Sequence, residues 1–169
     1  ASFGFQIDCP SFACIDWIQN GARLTLGGEP FEVLVSPYSL GCRVTGRLAV
    51  VSTVEELEAI DISDKIVLLR GDIAREQLMP KDFPFYNPDK HKRIIHLLER
   101  KEPQAIVAAT SRDPALAGGV YPFPLIEDGR FGVPCAAVTA ERAKPLLRAE
   151  GEVVSISIAS HRWEGQAEN

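Results

Sequence analysis

The stretch "DKIVLLRGDIAREQL", residues 64–78, decides how the chain folds. Ile66, Val67, Leu68 and Leu69 follow one another without a polar break. A short apolar run of this kind has both faces covered, as in a central strand of a layered α/β domain. Arg70-Gly71-Asp72 ends the run. Gly71 permits a positive φ where the chain leaves the sheet, and Asp72 is expected to accept from the amides freed there. The tripeptide therefore reads as a strand exit, not as an exposed adhesion ligand.

Toward the N-terminus the pattern is different. "FGFQIDCP" at 3–10 alternates, and Pro10 stops it. "SFACIDWIQNGA" at 11–22 reads as extended. "ARLTL" and "FEVLV" flank Gly27-Gly28 as a hairpin. "GCRVTGRLAVVS" at 41–52 reads as a long strand, with Gly46 expected to mark a bulge or bend. Strands thus dominate the first fifty or so residues. "STVEELEAI" at 52–60 follows as a short helix with a Ser or Thr cap and glutamates in its first turn.

Toward the C-terminus, "DKHKRIIHLLERKEP" at 89–103 places Ile94, Ile95, Leu97 and Leu98 in one stripe and basic residues opposite, and Pro103 ends the helix. "QAIVAAT" and "VPCAAV" are two more buried strands. "TAERAKPLLRAEG" is a last helix, capped by Thr139, with Pro145 inside it. "VVSISIAS" alternates and reads as a closing strand, and the polar tail "HRWEGQAEN" as a strand exit or a linker. The fold class is α/β: a mixed β-sheet, open sandwich- or barrel-like, with a β-rich N-terminal part and flanked by about three helices. One domain is expected over 1–169, with a strand or arm at 1–21, the body at 22–160 and an exit at 161–169.

Two connections are long, residues 71–88 and 111–132, and both leave the ends of buried strands. In an open sheet that edge is where ligands bind. Both carry aromatic residues: Phe83, Phe85, Tyr86, Tyr121, Phe123 and Phe131.

The bulk numbers exclude several classes. The chain has 169 residues, 46% hydrophobic and 24% charged, with net charge −5. The one basic cluster, Lys90, His91, Lys92 and Arg93, lies on a helix and is no nucleic-acid face. No apolar stretch reaches the about 20 residues that span a bilayer. The chain opens on Ala1-Ser2 without Met and reads as a processed or excised piece. Cys9, Cys14, Cys42 and Cys135 are too few for a disulfide-dependent scaffold and read as free thiols.

No catalytic set emerges. Phosphate-loop, Gly-x-Ser-x-Gly and His-Glu-x-x-His patterns are missing. His91 and His96 are about 500° apart on a helix and face different sides. His161 has Glu164 near it but no third ligand. Asp61, Asp64, Glu127 and Asp128 read as turn residues. Cys135 lies among small apolar residues without a histidine to activate it.

The opening stretch also carries a resemblance. "DISDKIVLLRG" resembles the "GKIVLVRRG" segment of the protease-associated domain. "CRVTGRLAVVSTVEELEAID", "HKRIIHLLERKEPQAIVAAT" and "FGVPCAAVTAERAKPLLRAEGEVVSISI" resemble its other segments, in the same order, as inserted in bacterial zinc aminopeptidases of the glutamate carboxypeptidase and transferrin receptor-like family. "QAEN" resembles the point of re-entry into the peptidase core. The resemblance runs from Ala22 to Asn169. It departs at "IAREQL", where the family has an aromatic after a cysteine, and at "EPQA", where it has Ala-Gly-Ala.

The resemblance implies a non-catalytic insert acting as lid or substrate-shaping surface, with Phe85, Tyr86, Tyr121, Phe123 and Arg130 as the lid or substrate-facing candidates, a peptidase catalytic domain of the same polypeptide as partner and a peptide as substrate. It implies no cofactor in this segment, zinc in the catalytic domain outside it, and a secreted or periplasmic setting. The alternatives are a stand-alone peptide- or protein-binding module using an exposed sheet edge, and a small enzyme with an unrecognised site.

Overall fold

The computed structural model describes residues 4, 8–81, 83–110 and 130–168. Seven strands and three helices follow in the order β1 (Ser11–Leu26), β2 (Glu29–Val35), β3 (Cys42–Val51), α1 (Val54–Ala59), β4 (Ile66–Leu69), α2 (Asp89–Lys101), β5 (Ala105–Thr110), β6 (Cys135–Thr139), α3 (Ala140–Arg148) and β7 (Val153–Glu168). The sheet is mixed and closes on itself in the order β1-β2-β6-β5-β4-β3-β7. Closure removes the open crevice at the strand ends where a ligand was expected, because a barrel has no topological switch point of that kind.

Burial follows the sequence pattern strand by strand. All of β4 is buried. Ile66 and Leu68 face the barrel interior with Leu24, Val33, Leu48, Val107, Ala136, Val154, Ile156 and Ile158. Val67 and Leu69 face outward into a second core with Val54, Leu57, Ile94, Ile95, Leu97 and Leu98 of α1 and α2. The parallel half of the barrel, β3 to β6, is thus clothed by helices. The antiparallel half is bare, and there β7 alternates, Val154, Ile156 and Ile158 inward and Ser155 and Ser157 partly exposed. Helix α3 runs from β6 to β7, which lie across the ring from one another, and its buried Ala143 and Leu146, with Ala149 just past its end, join the interior core.

The local signals act where expected in most elements. Thr53 caps α1 by accepting from Glu56 N at 3.1 Å, and the Glu56 carboxylate accepts from Ser52 N at 2.6 Å. Thr139 caps α3 by accepting from Arg142 N at 3.3 Å. Asp61 accepts from Ser63 N at 3.0 Å, the turn role assigned to it. Gly71 has φ +60°, but the amides beyond β4 are taken by backbone: Arg70 N donates to Val51 O at 3.0 Å and Ile73 N to Ser52 O at 3.1 Å. Asp72 instead stands 3.8 Å from the Arg75 guanidinium, on the surface.

Gly46 corrects another expectation. The pairing of β3 with β7 runs unbroken from Cys42 to Arg47, so Gly46 marks no bulge. A Cβ there would come within 2.9 Å of Gln104 Oε1 and 3.0 Å of Asp64 O, so glycine serves a close approach. The irregularity lies in β1, where the register with β7 shifts between Gln19 and Ala22 and Gly21 has φ +93°.

The polar tail is strand, not linker, through Glu168. Residues 160–168 pair with Ser11 to Gln19 of β1 and extend the β1–β7 ribbon past the barrel. Charge and polarity hid this strand because its partner lies at the other end of the sequence. Half of "FGFQIDCP", residues 3 and 5–7, lies outside the described residues.

Candidate functional site

The ribbon is held to the barrel at one mouth. A two-stranded ribbon is marginal on its own, so its anchors matter. Trp17 Nε1 donates to Ser39 O at 3.0 Å, and its ring lies 5.7 Å from that of Tyr38. Ser160 Oγ donates to the same carbonyl at 2.8 Å. The Ser39 hydroxyl donates to Leu40 O at 2.9 Å and accepts from Cys135 N at 2.8 Å. One buried serine thus joins both ribbon strands, β6 and the β2–β3 connection. Arg162 completes the joint by donating to Tyr38 O at 3.1 Å and Phe131 O at 3.0 Å. Partial burial pulls its guanidinium below the ordinary value, and it stays charged.

The connection at 71–88 is built, not slack. Ile73, Leu78 and Pro80 are buried. Buried His91 of α2 accepts from Met79 N at Nδ1, 3.0 Å, while its Nε2 is 3.4 Å from Glu76 Oε1. Asn87 Nδ2 donates to Pro80 O at 2.8 Å and Lys81 O at 2.9 Å. These bonds hold up a projection whose side chains find no core: Phe83 is 39%, Phe85 90% and Tyr86 65% exposed. Phe83 and Phe85 meet edge to face with centroids 5.9 Å apart. Three adjacent exposed aromatics on an anchored support form an apolar patch of the kind that meets a partner or ligand.

Arg130 stands at the root of the second connection, exposed, 3.4 Å from Glu164 of the ribbon. Tyr121 and Phe123, the other two substrate-facing candidates, lie outside the described residues. Phe131 is buried, part of the core and not of a surface. The middle of the first connection and the end of the second meet at one atom. Glu99 Oε1 of α2 accepts from Lys81 Nζ at 2.9 Å and from Gly132 N at 3.2 Å. Sequence reasoning passed over Glu99, Ser39, Trp17 and Arg162, because each acts through a partner distant in the chain and no local spacing announces it.

Burial pushes the Cys135 thiol up to about 12, far from a thiolate nucleophile. His161 stacks on Trp163 at 5.3 Å. Cys9, Cys14, Cys42 and Cys135 form no disulfide with one another in this structure. Among the described residues no three His, Cys, Asp or Glu side chains are grouped to hold a metal ion, and no helix is long and apolar enough to cross a membrane.

No protein-family model and no curated protein matches the chain by sequence. Solved structures match it by fold. An aminopeptidase from Aneurinibacillus sp. strain AM-1 superposes with TM-score 0.64 at 19% identity, over 98% of this chain and 37% of that one. A peptidase M28 precursor from Shewanella amazonensis gives 0.59 at 16% identity, over 98% and 40%. A psychrophilic subtilisin-like protease, Apa1, from Pseudoalteromonas sp. AS-11 gives 0.51 at 17% identity, over 92% and 38%. The chain shares its fold with a part of these peptidases and spans less than half the length of each.

Proposed function

We propose that the chain is a non-catalytic accessory domain of a zinc-dependent aminopeptidase, a protease-associated insert. In this reading Phe85, Tyr86 and Arg130, with Tyr121 and Phe123, face the substrate entrance of a catalytic domain on the same polypeptide, which holds the zinc. The observation that carries the reading is the ribbon. Ser11 pairs with Glu168, so the chain enters and leaves the barrel at one place, as an insert into a host requires. One ribbon face, with Trp17, Ser160 and Arg162, is tied to the barrel. The other leaves Phe12 51%, Ile18 54% and Trp163 40% exposed, an apolar strip suited to a host domain.

Peptidases of two kinds share the fold, so the fold does not select the host. The order of the sequence motifs favours the zinc aminopeptidase. The test is made in the polypeptide that contains this chain and its host. Phe85→Ala and Tyr86→Ala, both exposed, are expected to leave the melting temperature within about 2 °C and to change kcat/KM unequally across a panel of aminoacyl and peptide substrates. A chelator is expected to abolish hydrolysis. Identical kinetics across the panel would remove the substrate-facing role, and activity blocked only by a serine-directed reagent would move the host to the subtilisin-like kind.

A second reading, a stand-alone module that captures an extended peptide, draws on the same ribbon. Residues 11–19 pair only with β7, and residues 159–168 pair only with β1 or not at all, so each strand offers a free edge among the described residues. Saturable binding of an extended peptide by the isolated chain, with new amide protection on those edges, would favour it.

A further inference from the structure

The bare half of the barrel holds a feature that the peptidase reading does not use. Register places Arg23 of β1 and Arg43 of β3 on either side of Ser157 of β7. Neighbouring strands are about 4.8 Å apart, so the two arginine Cα atoms flank Ser157 at about 10 Å from one another. All three side chains alternate with inward-facing ones, Leu24, Val44 and Ile156 among them, and so stand on the outer face. The adjacent row is polar as well: Thr25, Ser155 and Thr45 are in register, with Thr45 Oγ1 and Ser155 Oγ 2.8 Å apart.

This face is concave. An open groove of about 540 Å³ is lined by Arg23, Arg43, Thr45, Ser155 and Ser157, with Asn20 and Gly21 at one end. The register shift of β1 forms that end, a common effect of a bulge. The groove continues into a second depression of about 490 Å³, which shares Arg43 and Ser157 and reaches His161.

Charge makes the groove unusual. The chain carries 23 Asp and Glu against 18 Lys and Arg, yet among the described residues no carboxylate lines either depression. Arg23 has Glu32 beside it in register on β2, but Glu32 is engaged by Arg142 of α3. Among the described residues neither Arg23 nor Arg43 has a carboxylate within ion-pair distance, whereas other Lys and Arg side chains on this acidic chain, Arg47, Lys65, Arg93, Lys144 and Arg162 among them, lie within 3.4 Å of a carboxylate or a backbone oxygen. Two guanidinium forks with hydroxyls between them present the donors that an oxyanion needs.

We propose that this groove is an oxyanion-binding site, in which Arg23 and Arg43 clamp one carboxylate- or phosphate-class group over Ser157. The full chain, labelled with 15N-arginine, is titrated with inorganic phosphate and separately with succinate, ionic strength being held constant by removing sodium chloride. The expected result is a saturable shift of the Arg23 and Arg43 side-chain resonances, weakened about tenfold by R23Q or R43Q and unchanged by R47Q, since Arg47 is already bound to Gly151 O at 2.8 Å. Tighter binding of phosphate assigns the site to phosphoryl groups, and tighter binding of succinate assigns it to carboxylates. If R43Q lowers the melting temperature, R43K, which keeps the charge and loses the fork, is read in its place and is expected to bind with intermediate strength. Shifts that stay linear with both anions, or a loss in R47Q equal to that in R43Q, would overturn the site.

Discussion

Ser11 and Glu168 face one another in register, at the far end of a ribbon whose other end is built into the barrel wall. The side-chain joint around Ser39 ties both ribbon strands to the barrel. Trp17 Nε1 and Ser160 Oγ both donate to its carbonyl, one from each ribbon strand. Trp17→Phe keeps the ring beside Tyr38 and removes one donor. It is expected to cost about 0.5–1.5 kcal/mol and to speed amide exchange in residues 11–19 more than in β4 or β5. Uniform exchange throughout the chain would show that the ribbon is not held at this joint.

Gly41 lies where the β2–β3 connection passes the ribbon. A Cβ there would collide with Ser160 O, a backbone atom that the β1–β7 pairing fixes. Gly41→Ala is expected to destabilise by about 1–3 kcal/mol, read by thermal denaturation. Gly132→Ala is the control, since a Cβ there first meets Glu99 Oε1 at an ordinary 3.9 Å. Equal melting temperatures for the two variants would contradict the packing described.

Glu99 ties the middle of the first long connection and the end of the second to α2. Glu99→Ala removes the ion pair with Lys81, whose partners are both 28% exposed, and the acceptor for Gly132 N. A loss of about 1–3 kcal/mol is expected, with faster proteolysis in residues 75–88. Lys144→Ala, which breaks an exposed pair with Glu141, is expected to stay within about 0.5 kcal/mol. Similar losses in both would mean that Glu99 is only another surface charge.

Cys135 gives the chain a stability change at alkaline pH. Its thiol is raised from 9.0 to about 12 by burial. Below pH 9 it is protonated whether the chain is folded or unfolded, and its contribution is fully present. Between about pH 9 and 12 the unfolded thiol ionises while the folded one does not, so stability is lost as pH rises, by up to about 1.4 kcal/mol per pH unit. Cys135→Ala is expected to flatten the stability profile in that window relative to the parent. Parallel profiles above pH 9 would contradict the burial assigned to the thiol.

The sequence disclosed the barrel unevenly, and the reason is physical. Residues 66–69 announced a strand covered on both sides, and residues 153–158 announced one covered on a single side, because burial selects side chains at every position or at alternate ones. The caps Thr53 and Thr139 were legible because they act within three residues. Closure was not. It depends on β2 meeting β6 through Leu34 and Val35 opposite Ala137 and Ala136, a short contact between distant segments. Gly46 was misread for the same reason, since Gln104 and Asp64, which crowd it, carry no mark of their position in the sequence. Of the site, the aromatics at 83–86 were legible as an excess of apolar side chains in a turn-rich stretch, while Glu99, which joins the two connections, looked like any charge on the wet face of a helix.

The account rests on the chain being a folded support that adjoins a catalytic domain and performs no hydrolysis itself. Its most direct test is peptide hydrolysis measured side by side on the isolated chain and on the longer polypeptide that contains it, with zinc supplied to both. Turnover by the longer polypeptide alone is the predicted result. Turnover by the isolated chain, abolished by a substitution of one of its own 169 residues, would contradict it.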